Sequence, residues 1–119
     1  MVKMYTLRRL FLYVPERSSQ MTVSKQIDGS KMTVEVAGRL DTTTAPQLEE
    51  EFKSSLDNVN DLVLDLSGLE YISSAGLRVL LASQKVMNTK GSMKVTGVSD
   101  VVMEIFEVTG FTDILTIER

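Results

Sequence analysis

Residues 62–78 read LVLDLSGLEYISSAGLR, and the fold is decided here. Leu62-Val63-Leu64-Asp65-Leu66 is a nearly continuous apolar run, the pattern of a central strand covered on both faces. Ser67-Gly68-Leu69-Glu70-Tyr71-Ile72 carries the chain from that strand to Ser73-Ser74. From about Ala75 to Lys90, the residues Leu77, Val79, Leu80, Leu81, Ala82, Val86 and Met87 cover a wide helical face, which predicts a well-buried helix. Lys85 and Lys90 fall toward its negative end, and Gly91 suits the position just past it.

The flanking sequence supplies further strands and helices. Thr22–Ile27 and Lys31–Ala37 are β-rich runs joined by Asp28-Gly29-Ser30, a strong hairpin signal because Gly accepts a positive φ. Met32, Val34 and Val36 alternate with Thr33 and Glu35, so one face of that strand is buried and one is wet. Gly38 to Thr44 reads as a polar turn into a helix, and Thr44-Ala45-Pro46-Gln47 has capping-box form. Leu48, Phe52 and Leu56 form that helix's apolar stripe, while Glu49, Glu50 and Glu51 make a solvated face near its positive end.

Beyond Gly91, Ser92–Val98 reads as a strand. Ser99 or Asp100 then caps a short helix to about Thr109, with Val102, Ile105 and Phe106 inward and Gly110 ending it. Ile114–Glu118 is a last, edge strand. The order from Met21 is β-β-α-β-α-β-α-β, an α/β fold with a mixed sheet backed by helices and joined by right-handed crossovers.

Composition removes whole classes of chemistry. The 119 residues include no His, Cys or Trp. A Ser-His-Asp triad, a Cys-His dyad, a thiol redox pair and an ordinary zinc site are therefore all excluded. The glycine spacing of a phosphate loop or a dinucleotide site is missing too. Absence of Cys fits a reducing compartment.

Charge divides the chain in two. Residues 1–20 hold Lys3, Arg8, Arg9 and Arg17 against Glu16, a net +3, whereas the remaining residues carry −6. So acidic a body is poorly suited to phosphate backbones, which need clustered cations, and direct nucleic-acid binding is not expected. Within residues 1–20, Met4, Leu7, Phe11 and Val14 fall at helical spacing beside Arg8 and Arg9, and Pro15 ends the pattern. Residues 1–20 are read as an N-terminal extension, either accessory or a docking or dimerising arm, and residues 21–119 as one domain. No apolar run approaches the roughly 20 residues of a membrane span, and the longest near the N-terminus is short for a signal peptide. The expected location is cytoplasmic.

Among the carboxylates, Asp41 and Asp65 stand near predicted strand ends, where two carboxylates could hold Mg²⁺ or exchange protons. The plainer role for each is a local hydrogen bond in a turn, and that role is favoured. More informative is Ser73-Ser74 at the start of a helix. A serine there caps a free backbone N–H, worth about 1 kcal/mol. The same position welcomes an anion, so a phosphoryl group on Ser74 would be tolerated by the fold while changing the surface by about −1.5 to −2 charges.

Residues 63–78 resemble the signature of STAS domains, in particular of bacterial anti-sigma factor antagonists. Gly38-Arg39-Leu40-Asp41 followed by Thr44-Ala45-Pro46 is similar to the family's other characteristic stretch. The resemblance runs from about Met21 to Glu118. It implies a sheet of four or five strands with helices packed mainly on one side, and partner switching as the activity. In that scheme an unphosphorylated antagonist binds an anti-sigma factor that is also a serine kinase, and so frees the sigma factor. The kinase then phosphorylates one serine of the antagonist and releases it, and a PP2C-type phosphatase resets the cycle.

By motif position that serine is Ser74. Many members have Asp immediately before it, whereas this chain has Ser73, the alternative site. The resemblance further implies a partner surface drawn from Arg39, Asp41, Thr43, Thr44, Tyr71, Ser73, Ser74, Gly76, Leu77 and Arg78. It implies no enzymatic activity, cofactor or metal, and leaves a homodimer open. The alternative is a structural STAS subunit of a transport or stress-sensing complex, with the basic extension as its docking element.

Overall fold

The computed structural model describes residues 21–118. The amphipathic pattern and the extension boundary expected within residues 1–20 lie outside the described residues. Strand β1 (Met21–Asp28) is followed by β2 (Lys31–Leu40), helix α1 (Ala45–Ser55), β3 (Asp61–Ile72), α2 (Ser74–Asn88), β4 (Ser92–Thr96), α3 (Asp100–Thr109) and β5 (Ile117–Glu118). The five strands lie in the sheet in chain order, with β1 antiparallel to β2 and every other pair parallel. This is the expected mixed α/β sheet.

The layering follows from that order. Right-handed crossovers between successive neighbours put every helix on the same side of a sheet. Burial agrees with it: Met32, Val34 and Val36 on β2, Leu62, Leu64 and Leu66 on β3, and Met93 and Val95 on β4 are buried. The residues between them, such as Thr33, Glu35, Val63, Asp65 and Lys94, are half-buried or exposed. The expectation of a central strand covered on both faces is thus corrected. Its run of apolar residues reflects Val63 alone, which sits half-exposed on the open face beside Lys94.

Both central strands outrun the sequence expectation. β2 continues through Gly38, Arg39 and Leu40, and β3 through Ser67 to Ile72. The alternation that marks a strand breaks here, because β3 bulges twice against β2. Val36 and Ala37 face Leu66 to Gly68 with one residue to spare on β3, and Glu70 is a second extra residue between Leu69 and Tyr71. Each extra residue resets the phase, so Leu66, Leu69 and Ile72, spaced by three, all stay buried.

Smaller differences have local causes. The hairpin turn is Gly29-Ser30, because Asp28 still pairs with Lys31, and Gly29 carries the positive φ of 64°. No capping box forms at α1, where Thr44 has helical backbone angles and its hydroxyl is used elsewhere. On α2, Ala82 and Val86 are exposed while Ser83 and Gln84 are buried, so the helix presents its edge to a groove. Lys90 lies past that helix and its ammonium donates to the carbonyls of Leu56 and Asp57, closing the end of the α1 segment. The last strand is only Ile117–Glu118, since the Ile114 and Leu115 N–H groups donate to the Phe111 carbonyl and continue the helical turn of residues 111–113 into the start of the expected strand.

Candidate functional site

The two bulged strands end side by side. Arg39 pairs with Tyr71 and Leu40 with Ile72, and the chain then leaves β2 into Asp41–Thr44 and leaves β3 into α2. The carboxyl ends of parallel strands are where α/β sheets place their functional loops. Two contacts join the loops. The Ser73 N–H donates to the Leu40 carbonyl at 2.9 Å, and Gly76 in the first turn of α2 lies directly on the end of β2. A Cβ at Gly76 would come within 2.7 Å of Leu40 Cγ, 2.8 Å of Ile72 Cγ1 and 3.0 Å of the Leu40 carbonyl oxygen. Only glycine lets the helix sit this close.

Asp41 organises the 41–44 loop. Its Oδ1 accepts from the Thr43 N–H at 3.0 Å, the Thr43 hydroxyl at 2.8 Å and the Thr44 N–H at 3.2 Å. The Thr44 hydroxyl donates to the Arg39 carbonyl at 2.8 Å and accepts from the Asp41 N–H at 2.8 Å. Asp41, Thr43 and Thr44 are therefore bonded to one another and to the end of β2. The Thr43 hydroxyl holds the Asp41 carboxyl below its ordinary pKa against the opposing effect of burial, and the backbone N–H groups of Thr43 and Thr44 and the Thr44 hydroxyl add to the lowering. Arg39 lies 3.7 Å from Asp41 Oδ2 and stacks over the Tyr71 ring at 4.5 Å.

The two serines divide their roles. Ser73 caps α2, its Oγ accepting from the Gly76 N–H at 3.4 Å, and is half-buried. Ser74 is the first helical residue and is exposed, and its hydroxyl enters no hydrogen bond among the described residues. Arg78, one turn further on, is also exposed. Thr44, Gly76 and Leu77 are buried beneath the residues that face solvent at this end of the sheet. Arg39, Asp41, Thr43, Tyr71, Ser74 and Arg78 remain at the solvent side, with Ser73 between.

Some neighbours went unseen in the sequence. A hollow of about 230 Å³ beside Ser74 is lined by Thr42, Ala45, Pro46, Glu49, Ala75, Arg78 and Val79. It opens toward a larger groove of about 350 Å³ between α1 and α2, whose apolar walls include Phe52, Leu56, Val79 and Val86. The small residues Ala45 and Ala75 facing each other were the available signal. Asp41 and Asp65 are not brought together. Asp65 pairs in register with Glu35, far down the strand from the Leu40–Ile72 end, a separation of roughly 20 Å. Asp65 instead accepts from the Ser67 N–H at 2.9 Å, and no cluster of three or more acidic side chains that could hold a metal occurs among the described residues.

Comparison with known proteins agrees with this geometry. A family model described as Mlab, STAS domain matches residues 23–116. The chain belongs to the STAS domain family. Two of its relatives, 36% and 33% identical, are named as anti-sigma factor antagonists. It is 36% identical over 100 residues to BtrV of Bordetella bronchiseptica, a protein named for that role, covering 82% of this chain and 84% of that one. It is 33% identical over 88 residues to the anti-sigma-B factor antagonist of Staphylococcus aureus, covering 72% of this chain and 82% of that one. The fold matches an anti-sigma factor antagonist from Mycobacterium paratuberculosis with a TM-score of 0.77, at 24% identity over 87% of this chain and 89% of that one. It also matches SpoIIAA in its unphosphorylated form, with a TM-score of 0.71 at 14% identity, over 82% and 89%.

Proposed function

We propose that this protein is an anti-sigma factor antagonist that works by partner switching at Ser74. The unphosphorylated form binds an anti-sigma factor that is also a serine kinase, and the sigma factor is released. The kinase transfers the γ-phosphoryl group of ATP to the Ser74 oxygen, and a PP2C-type phosphatase removes it by hydrolysis. The protein itself is a substrate and a binding surface with no reaction of its own, and it acts in the cytoplasm. The domain is residues 21–119, with residues 1–20 as an extension.

The observation that carries this reading is the division between the two serines. Ser73 spends its hydroxyl on the helix cap, while Ser74 is exposed at the positive end of α2 with a hydroxyl that has no hydrogen bond among the described residues. A phosphoryl group there meets a helix terminus that favours anions, so the fold survives. The added charge of about −2 then acts on the partner through repulsion and desolvation. Arg39, Asp41, Thr43, Tyr71 and Arg78 supply the surrounding polar surface.

The test is intact-protein and peptide mass spectrometry after incubating the full chain with the organism's anti-sigma kinases and ATP. Phosphate at Ser74 is expected. Binding assays should find Ser74→Ala as competent as the unmodified protein and Ser74→Asp at least tenfold weaker, about 1.4 kcal/mol. Modification at Ser73 would move the switch by one residue. Equal binding by both variants, with no phosphate on either serine, would leave the structural-subunit role in its place.

A further inference from the structure

We propose that the outer face of α3 is a docking surface for the N-terminal segment of this same chain, residues 1–14. α3 turns Val102 and Phe106 to the core, while Val101 and Val108, seven positions apart, stand exposed on its other side, with Ile105 half-buried between them and packed against the core. Val101 is 56% and Val108 80% exposed. A shallow hollow of about 230 Å³ beside Val108 is lined by Glu104, Ile105, Val108 and Thr109. Single exposed valines are ordinary, whereas an aligned stripe rimmed by charge is the pattern of a contact surface.

Charge selects the occupant. From Val95 to Glu118 the chain carries Asp100, Glu104, Glu107, Asp113 and Glu118 and no Lys or Arg, with Glu118 paired to Lys94 at 3.4 Å. On a helical wheel Asp100, Glu104 and Glu107 fall along one flank of the valine stripe. Residues 1–14 are the reverse, with Lys3, Arg8 and Arg9 and no acidic residue. Their Met4, Leu7, Phe11 and Val14 recur at helical spacing, a stripe of roughly 15 Å against roughly 10 Å on α3. The groove between α1 and α2 is less suited, because its rim alternates Glu49, Lys53 and Asp57.

The segment can reach. Met21 pairs with Gly38, so the described chain begins at the carboxyl end of β2. α3 begins at that same end, since it follows β4, which runs parallel to β3 and β2. β1 and β4 are three strand spacings apart, about 14 Å. Residues 15–20 can span roughly 20 Å. None of the residues around Ser74 takes part, so this surface is independent of the switch.

The absence of Cys makes a clean test, because Thr6→Cys in the full chain accepts a single nitroxide spin label. Nuclear magnetic resonance should then show amide signals of Glu104, Val108 and Thr109 lost through paramagnetic relaxation, with those of Val79 and Val86 retained. The signals should return on adding Val108→Asp, a site too exposed to unfold the chain, and equally on adding Leu7→Asp with Phe11→Asp. They should persist when spin-labelled chain is mixed with isotope-enriched chain that carries no label. Undiminished α3 signals, losses centred on Val79 and Val86, or losses in the mixed sample would each overturn the proposal.

Discussion

The Ser73 N–H is bonded to the carbonyl of Leu40 at 2.9 Å, so the capping residue of α2 is tied to the last residue of β2. Two loops far apart in sequence become one surface through this bond and the packing of Gly76 beneath it. Asp41 is the next residue after Leu40, and Ser74 the next after Ser73. Any change at this junction should be felt by both the acidic loop and the modifiable serine.

Gly76→Ala tests the packing. The new methyl would meet Leu40 Cγ at 2.7 Å and Ile72 Cγ1 at 2.8 Å. Overpacking of this kind costs about 1–3 kcal/mol, more than the gain of up to about 1 kcal/mol from replacing glycine within a helix. Urea denaturation should show a lower midpoint with an unchanged slope. A midpoint equal to or above that of the parent would mean that α2 can lift from β2 at no cost.

Ser73→Ala removes the cap alone. The Gly76 N–H to Ser73 Oγ distance of 3.4 Å is long, so the loss should fall at the lower end of the range for caps, about 0.5–1 kcal/mol. Phosphorylation of Ser74 should still occur, because its hydroxyl takes no part in the cap. Thermal unfolding read beside a kinase assay separates the two effects, and a variant that folds normally yet cannot be modified would assign the acceptor role to Ser73.

Asp41→Asn tests the loop through pH. The folded protein holds the Asp41 carboxyl below its ordinary value near 3.8, so the ionised form stabilises the native state. That contribution is complete above the unfolded pKa and disappears as pH falls through the lower folded one. The stability difference between parent and Asp41→Asn should therefore be constant from about pH 7 to 5 and shrink below about pH 4. Chemical denaturation at a series of pH values measures it. A difference that grows on acidification would reverse the assigned shift.

Much of the fold is legible in the residues. The hairpin and the three helices follow from turn residues and apolar period, which act within a few positions, while the structure chooses Ser73 over Ser74 and Ser99 over Asp100 as caps. Ser73-Ser74 at a helix start was likewise visible. The carboxyl halves of β2 and β3 were not, because two bulges convert the period of two into spacings of three at Leu66, Leu69 and Ile72. Thr44 misled in another way. Its hydroxyl is drawn to the Arg39 carbonyl and the Asp41 N–H, partners that a capping-box pattern does not count.

The sequence by itself determined the order of elements, the exclusion of His and Cys chemistry, the acidic body with its basic extension, and a serine pair at the head of α2. These depend on composition and on contacts within a turn or two. The pairing of Arg39 with Tyr71, the 2.9 Å bond from Ser73 to Leu40, the separation of Asp41 from Asp65 and the exposed stripe on α3 were decided only in three dimensions. Each depends on strand register or on which helix face meets the sheet. Register is set by the summed packing of the core, and local residue preferences do not contain it.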